Sequence, residues 1–299
     1  MRTVFFLGKG GVGKSTLAIL SGLWLAHQQK DVALISLDRA HNLKDILGPA
    51  PLPKRLKVVE ANLDEFVQNY LRETEKQLRR NYTYLTALNL ENHFKVLRYA
   101  PGMEEYALLL AFWQFSTAFS AKDYLIFDMP PTALALKFFG LPAVSLLWLE
   151  QLLGLRDEIL KKKEIISSVK LGRSVKETDK VKNSLLKQKE RYQRLLRFFR
   201  EKEECKINIV SNDDPVSLAE SGRIAEFFRE LSVAPHALIV NKRRDGSPEK
   251  DIPKALQTLP RIVLPAEPAP LVGQETLKRF LEQNFAEIPR MLLEGNTQK

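Results

Sequence analysis

Along the chain, short apolar runs rich in β-branched residues alternate with longer stretches whose apolar positions recur every three or four residues. The runs read TVFFLG at 3–8, DVALISLD at 31–38, LKVVEA at 56–61, FKVLRYA at 94–100, DYLIFDMP at 123–130, INIVSN at 207–212, HALIVNK at 236–242 and RIVLPA at 261–266. Runs this short and this apolar predict strands buried on both faces. The helically spaced stretches between most of them predict crossover helices, hence an α/β fold with a mostly parallel, twisted sheet flanked by helices. One helix is expected to begin near Asn62, where Asn62 and Glu65 have the spacing of a capping box. Its apolar stripe runs Phe66, Val67, Tyr70, Leu71 and Leu78.

The piece from about Leu141 to Cys205 breaks the alternation. It opens with LPAVSLLWLEQLLGL, apolar nearly all round, and ends with VKNSLLKQKERYQRLLRFFREK, in which Val181, Leu185, Tyr192, Leu195, Leu196 and Phe199 make a stripe opposite a basic face. No strand pattern separates the two. The expected organisation is one domain over 1–299 carrying an α-helical subdomain formed mainly by about 141–205, with part of 62–118 as a candidate addition. The polar, weakly patterned LGRSVKETDK is its candidate hinge. A helix apolar on all sides belongs in a core, with an exposed groove for an apolar ligand as the competing reading.

Composition narrows the class further. With 299 residues, 44% hydrophobic and 27% charged, the chain is long enough to bury a large core. It enters its first strand without a basic and then apolar leader, and no uncharged apolar run reaches roughly 18 residues, so a cytoplasmic location is expected. Cys205 is the single cysteine, which excludes an internal disulfide framework and a multi-thiolate metal site within one chain. The net charge of +10 is concentrated: from Arg156 to Lys206 there are seventeen Lys or Arg against nine Asp or Glu. Such a run is commonly a solvated helix face, and it also suits DNA, anionic membrane or an acidic partner.

The chemistry begins at residues 8–16, GKGGVGKST, between the first predicted strand and a predicted helix. Gly8, four residues, then Gly13, Lys14 and Ser15 satisfy the phosphate-loop pattern, which wraps backbone N–H groups of Gly8, Lys9, Gly10, Gly11, Val12 and Gly13 around an anion at a helix N-terminus. Lys14 neutralises β- and γ-phosphate charge, and the Ser15 hydroxyl can ligate Mg2+. A hydrolase also needs a second carboxylate near the metal and a group that orients water. Asp38 and Asp128 both end strands, where ligands of parallel sheets collect. Asp128 is the expected second carboxylate for Mg2+, and Asp38 opens the polar loop DRAHNLKD. The motif occurs once, so one ATP site per chain is expected.

The letters around these residues carry a resemblance. KGGVGKST, with Lys9 ahead of the glycines, is similar to the deviant Walker A form of ATPases acting in plasmid partition, septum positioning, nitrogenase and arsenite pumping. DRAHNLKD resembles the DPAHNLSD of one branch, the arsenite-pump ATPase (ArsA) family, which includes the ATPase that targets tail-anchored membrane proteins. APGMEEYALLL, DMPPTALALKFFGLP and SLAESGRIAEFFRELSVAPHALIVNK resemble later segments of that branch in the same order. The similarity spans most of the chain outside 150–205. It implies a P-loop NTPase fold in its single-unit form. By the same resemblance Lys14, Ser15 and Thr16 hold phosphate and Mg2+, Asp38 polarises the hydrolytic water, Asp128 stands at the Walker B position, and Asn241 contacts adenine. Lys9 reaches the phosphates of a second subunit, which implies a homodimer.

The departures from that pattern are specific. Arg39 stands where the family has proline, and TALAL replaces TGHTL, so the second switch lacks its glycine and histidine. Arsenite capture takes about three convergent thiolates, and the eukaryotic targeting ATPases carry a zinc-binding Cys-x-x-Cys; neither can be built around Cys205 alone. His41, beside Asp38, is expected to hydrogen-bond within its loop. The expected function is therefore a Mg2+-dependent, ATP-hydrolysing dimeric switch whose helical region handles a hydrophobic protein segment or membrane-protein client. The alternative is a positioning or scaffold ATPase whose basic segment binds DNA or anionic membrane.

Overall fold

In the computed structural model the described residues are 1–40, 43–81, 96–97, 99–171, 179–244, 246 and 251–293. Seven strands form one sheet: β1 (Arg2–Leu7), β2 (Val32–Ser36), β3 (Leu56–Glu60), β4 (Tyr124–Asp128), β5 (Cys205–Asn212), β6 (Ala237–Arg243) and β7 (Arg261–Pro265). All pairings are parallel and the order is β3-β2-β4-β1-β5-β6-β7. Eight helices accompany it among the described residues: α1 (Lys14–His27), α2 (Leu43–Leu47), α3 (Leu63–Asn81), α4 (Met103–Ala118), α5 (Thr132–Leu171), α6 (Lys180–Arg200), α7 (Pro215–Glu230) and α8 (Gln274–Gln283). The chain winds outward from β1 to β3, returns to place β4 beside β1, and then adds β5 to β7 on the other side. The carboxyl ends of β1, β2, β4 and β5 consequently meet at the point where the winding reverses, which is where doubly wound sheets bind ligands.

The strands that build this point are buried because covered parallel sheets must be apolar on both faces. Phe5 and Phe127 sit in register on β1 and β4, stack at 5.3 Å, and meet Phe112 of α4 and Phe138 of α5. Each ring is essentially fully buried, worth roughly 1.5–3 kcal/mol for its burial. Val4 and Phe6, pointing to the opposite face, join a second core with Leu17, Leu20 and Trp24 of α1 and with Leu277 and Phe280 of α8. Under α3, Val67 and Leu71 are buried, while Phe66 and Tyr70 pack on Phe115 and Tyr106 of α4. At its start the Asn62 amide donates to Glu65 Oε1 at 2.9 Å. The run 94–100 forms no strand among its described residues: Val96 and Leu97 are helical, and Tyr99 and Ala100 lie in a turn. Val96, Leu97 and Tyr99 are exposed, so the run's apolar letters do not mark a buried strand.

The chain divides into two compact units, one of Met1–Phe138 with Lys202–Lys299 and one of Phe139–Glu201. The second is an antiparallel pair of helices. Phe139 meets Phe199 at 4.8 Å, Glu150 pairs with Lys189, Asp157 with Lys182, and Arg156 with Asp179. Asp179 caps α6 by accepting from the Val181 and Lys182 N–H groups. The guanidinium of Arg156, with those two N–H groups, holds its carboxyl at about 2. Part of the basic segment is thus neutralised in place.

The expectation that the run at 141–155 is core is corrected here. Leu149 is buried, but Val144, Leu147, Trp148, Leu152, Leu155 and Ile159 are exposed, Leu147 and Trp148 at 67% each. A two-helix unit cannot enclose a helix apolar on all sides. Over Thr132–Ile165, α5 is also long and apolar enough to cross a membrane, its most apolar 18-residue stretch having mean hydropathy 1.6 with 28% of that stretch buried.

Candidate functional site

The loop from Gly8 to Gly13 leaves β1 and enters α1 by a route open only to glycine at two points. A Cβ on Gly8 would lie 2.1 Å from the Val210 carbonyl oxygen, and one on Gly13, at φ 99°, would lie 2.4 Å from the Asn241 amide nitrogen. Gly13 caps α1 without a side chain, so the first N–H groups of that helix remain for an acceptor. Val12 is buried, whereas Lys9, Gly10 and Gly11 are exposed. Gly10, Gly11, Gly13, Lys14, Ser15 and Thr16 line a cavity of about 1220 Å³ whose wall also includes Asp38, Asn241 and the segment from Pro265 to Val272. That volume accommodates a nucleotide-sized ligand.

Lys14 is 6% exposed, and its Nζ donates to the carbonyls of Gly8 at 3.1 Å and Lys9 at 3.3 Å. Burial lowers its pKa, and the carboxylates of Asp128, Asp38 and Glu220 oppose that shift. The charges of three acids therefore act on one ammonium. Sheet register explains the first two: Ser36 on β2 stands opposite Asp128 on β4, and Phe6 on β1 stands on the other side of Asp128. Asp38 follows two residues beyond Ser36, its N–H donating to Ser36 Oγ and its Oδ1 accepting from the Ala40 N–H. His41 lies outside the described residues.

Burial pushes Asp128 up to about 6, opposed by the Ser15 hydroxyl and the Lys14 ammonium. Ser36 Oγ reaches its Oδ2 at 3.5 Å, and its Oδ1 is buried with no hydrogen-bond partner among the described residues. An orphaned carboxylate oxygen next to a serine hydroxyl fits Mg2+ or the water shell of Mg2+, an ion that takes only one or two protein ligands alongside substrate phosphates. No group of three or more His, Cys, Asp or Glu suited to a metal occurs among the described residues. The sign of the Asp128 shift gives a first prediction. A carboxyl raised from 3.8 to about 6 binds its proton more tightly in the folded chain. Its contribution is fully present below pH 4 and lost as pH rises to 6. Asp128→Asn should therefore raise the stability of the nucleotide-free protein at pH 7.5 by roughly 2–3 kcal/mol, with the gap between the two denaturation series opening as pH rises from 4 to 6 because the variant lacks the parent's loss over that interval.

Asn241, near the carboxyl end of β6 and in register with Asn212, donates from Nδ2 to the Val12 carbonyl at 2.8 Å. The residue that the resemblance assigns to adenine is thus also tied to the phosphate loop. Four further contacts have no single-residue signature in the sequence. Arg39 pairs with Asp64 and Glu104, at 3.3 and 3.1 Å, fastening the loop that carries Asp38 to the starts of α3 and α4. Lys137 on α5 meets Glu105 at 2.7 Å; burial pushes that carboxyl up, but the lysine holds it below the usual range. Thr132 Oγ1 donates to Glu220 at 2.6 Å. The loop that follows Asp38 and the first turns of α5 beyond Asp128 are therefore anchored on the adjacent glutamates Glu104 and Glu105, a link visible in APGMEE only once the fold is known.

Comparison with known proteins places these features in a family. The anion-transporting ATPase family model matches residues 1–258. The chain is 28% identical to a putative arsenical pump-driving ATPase 2 of Aquifex aeolicus, over 94% of this chain and 98% of that one. It is 31% identical to the ATPase get3 of Schizosaccharomyces japonicus, over 52% of this chain and 48% of that one, and 30% identical to the ATPase ASNA1 homolog of Entamoeba histolytica, over 52% and 51%. With a phosphate loop at the reversal point of a seven-stranded parallel sheet and this match, the chain belongs to the anion-transporting ATPase family and is an ATPase.

Proposed function

We propose that the chain is a cytoplasmic, Mg2+-dependent ATPase that works as a homodimer and couples hydrolysis to the handling of a hydrophobic segment of a membrane-protein client. The backbone N–H groups of the phosphate loop and the start of α1 take up the phosphates, and Lys14 leaves the loop carbonyls to meet their charge. Ser15 and Asp128 would hold Mg2+, which when bound would supply neutralisation of phosphate charge. Asp38 orients the attacking water for in-line displacement, accepting its hydrogen bond from the wall of the cavity. Asn241 holds the base while fixing the loop from behind. Lys9 extends from the exposed outer turn of the loop to the phosphates of the second subunit. Loss of the γ-phosphate releases the loop at Asp38, and the anchored segment after Asp128 passes the change into α5.

The observation that supports the client reading is the exposed apolar stripe of α5, Val144, Trp148, Leu152, Leu155 and Ile159, whose spacing puts them on one helical face. Cys205 argues against arsenite as the cargo. It is buried in β5, and burial pushes its thiol far up, away from the thiolate that arsenite requires. Trp148→Asp with Leu152→Asp changes two exposed positions and should leave the fold and ATP turnover intact. Crosslinking to a radiolabelled single-span apolar segment in the presence of Mg2+ and ATP should fall at least about tenfold, since two apolar side chains of this size contribute roughly 1.5–3 kcal/mol each when covered. Crosslinking at the parental level would remove the stripe from the client site.

A further inference from the structure

One cation at the cavity has no role in the scheme above. Lys242 follows Asn241 near the carboxyl end of β6, and its Nζ donates to the Gly11 carbonyl at 2.7 Å, across 231 residues of sequence. Its backbone is in the left-handed region at φ 57°, which a lysine adopts only when its surroundings impose it. The pairing of β6 with β7 is irregular between Val240 and Arg243, so the strand bulges where this side chain is turned toward the loop. Its neighbour Asn241 holds the next carbonyl, that of Val12. Two adjacent residues thus grip two adjacent carbonyls of the phosphate loop.

The consequence follows from peptide geometry. In a planar trans peptide the N–H points away from the C=O of the same unit. Fixing the Gly11 carbonyl aims the N–H of Val12, and fixing the Val12 carbonyl aims the N–H of Gly13. Lys14 holds the carbonyls of Gly8 and Lys9 only until phosphate draws it away, whereas the grips of Lys242 and Asn241 persist. The N–H groups of Val12 and Gly13 are therefore held ready for an anion before it arrives, which lowers the ordering cost of binding.

We propose that Lys242 is a positioning residue of the phosphate loop, acting through the Gly11 carbonyl to aim the Val12 N–H at the phosphates of the nucleotide. It touches neither water nor the transferred group in this role, so its loss weakens binding of ground state and transition state alike. The proposal rests on ATP occupying this loop, which the parent chain's own ADP affinity tests separately. The experiment compares Lys242→Met, which keeps the stem, Lys242→Gly, which fits the backbone without strain, and Lys242→Arg, which keeps a donor. Expected for the Met and Gly variants is an increase of about tenfold in KM for ATP and in Kd for ADP, with kcat and the Kd for adenosine unchanged; the Arg variant retains the parental values. An unchanged Kd for ADP in the Met and Gly variants overturns the proposal. So does a loss for adenosine equal to that for ADP, which would place Lys242 against the base instead of behind the phosphates.

Discussion

Replacing Asp38 with Asn should leave ADP and ATP affinity within about twofold of the parent and reduce turnover by about 100-fold or more, the scale on which a positioned proton acceptor acts. The carboxylate sits two residues past the end of β2, steadied by the N–H of Ala40 on Oδ1 and by Ser36 behind its own N–H. It lines the cavity on which Lys14 and Ser15 also open. The substitution keeps size and one oxygen but removes the negative charge that, in the proposed scheme, turns a water toward a phosphorus. Single-turnover hydrolysis, paired with equilibrium binding of a fluorescent ADP, separates the two effects. Parental turnover in Asp38→Asn would move the orientation of water to another group.

Lys9→Ala should be nearly as severe and in a different way. Within its own chain the side chain of Lys9 is exposed, its carbonyl accepts from Lys14 Nζ, and its charge helps to lower the pKa of Asp214. A lysine so placed contributes little to its own subunit's fold. Delivered to a second subunit, it would supply positive charge to the transition state as an arginine finger does, an effect of about 1000-fold or more. The variant should therefore fold and bind ADP normally, lose turnover, and associate less in ATP. Mixing it with Asp38→Asn chains tests the sharing: if each site takes Lys9 from its partner, mixed dimers assemble one site with both defects and one with neither, and recover activity that neither variant has alone. Absence of recovery, with mixed dimers shown to form, would assign Lys9 to its own subunit.

How far the sequence foretold this site depends on the kind of contact. The strands ending in Leu7, Ser36 and Asp128 were legible because a covered parallel strand has to be apolar on both faces, and the loop after Leu7 because only glycine satisfies φ 99° at Gly13 beside Asn241. The stretch at 94–100 carries the same apolar letters, yet Val96 and Leu97 are helical and exposed; short apolar runs do not distinguish strand from helix on pattern alone. The run at 141–155 departs from its expected burial for another reason. Its letters state a preference for leaving water but not what covers them, and a pair of helices leaves Leu147 and Trp148 outside. Contacts such as Arg39 with Glu104, Lys137 with Glu105, and Lys242 with the Gly11 carbonyl join positions 32 to 231 residues apart. Nothing local records such pairs, and in the case of Lys242 the only trace is a polar residue after Asn241 at the end of the HALIVNK run.

The claim on which the rest depends is that ATP joins two chains into one hydrolytic unit. Light scattering of the parent and of Asp38→Asn, each with Mg2+ and either ATP or ADP, measures it directly. The Asp38→Asn chain should hold twice the single-chain mass of 34.2 kDa for as long as ATP is present, while the parent passes through that mass and changes as ATP is consumed. A single-chain mass for both proteins in every nucleotide, at concentrations well above the ATP-binding constant, would contradict it.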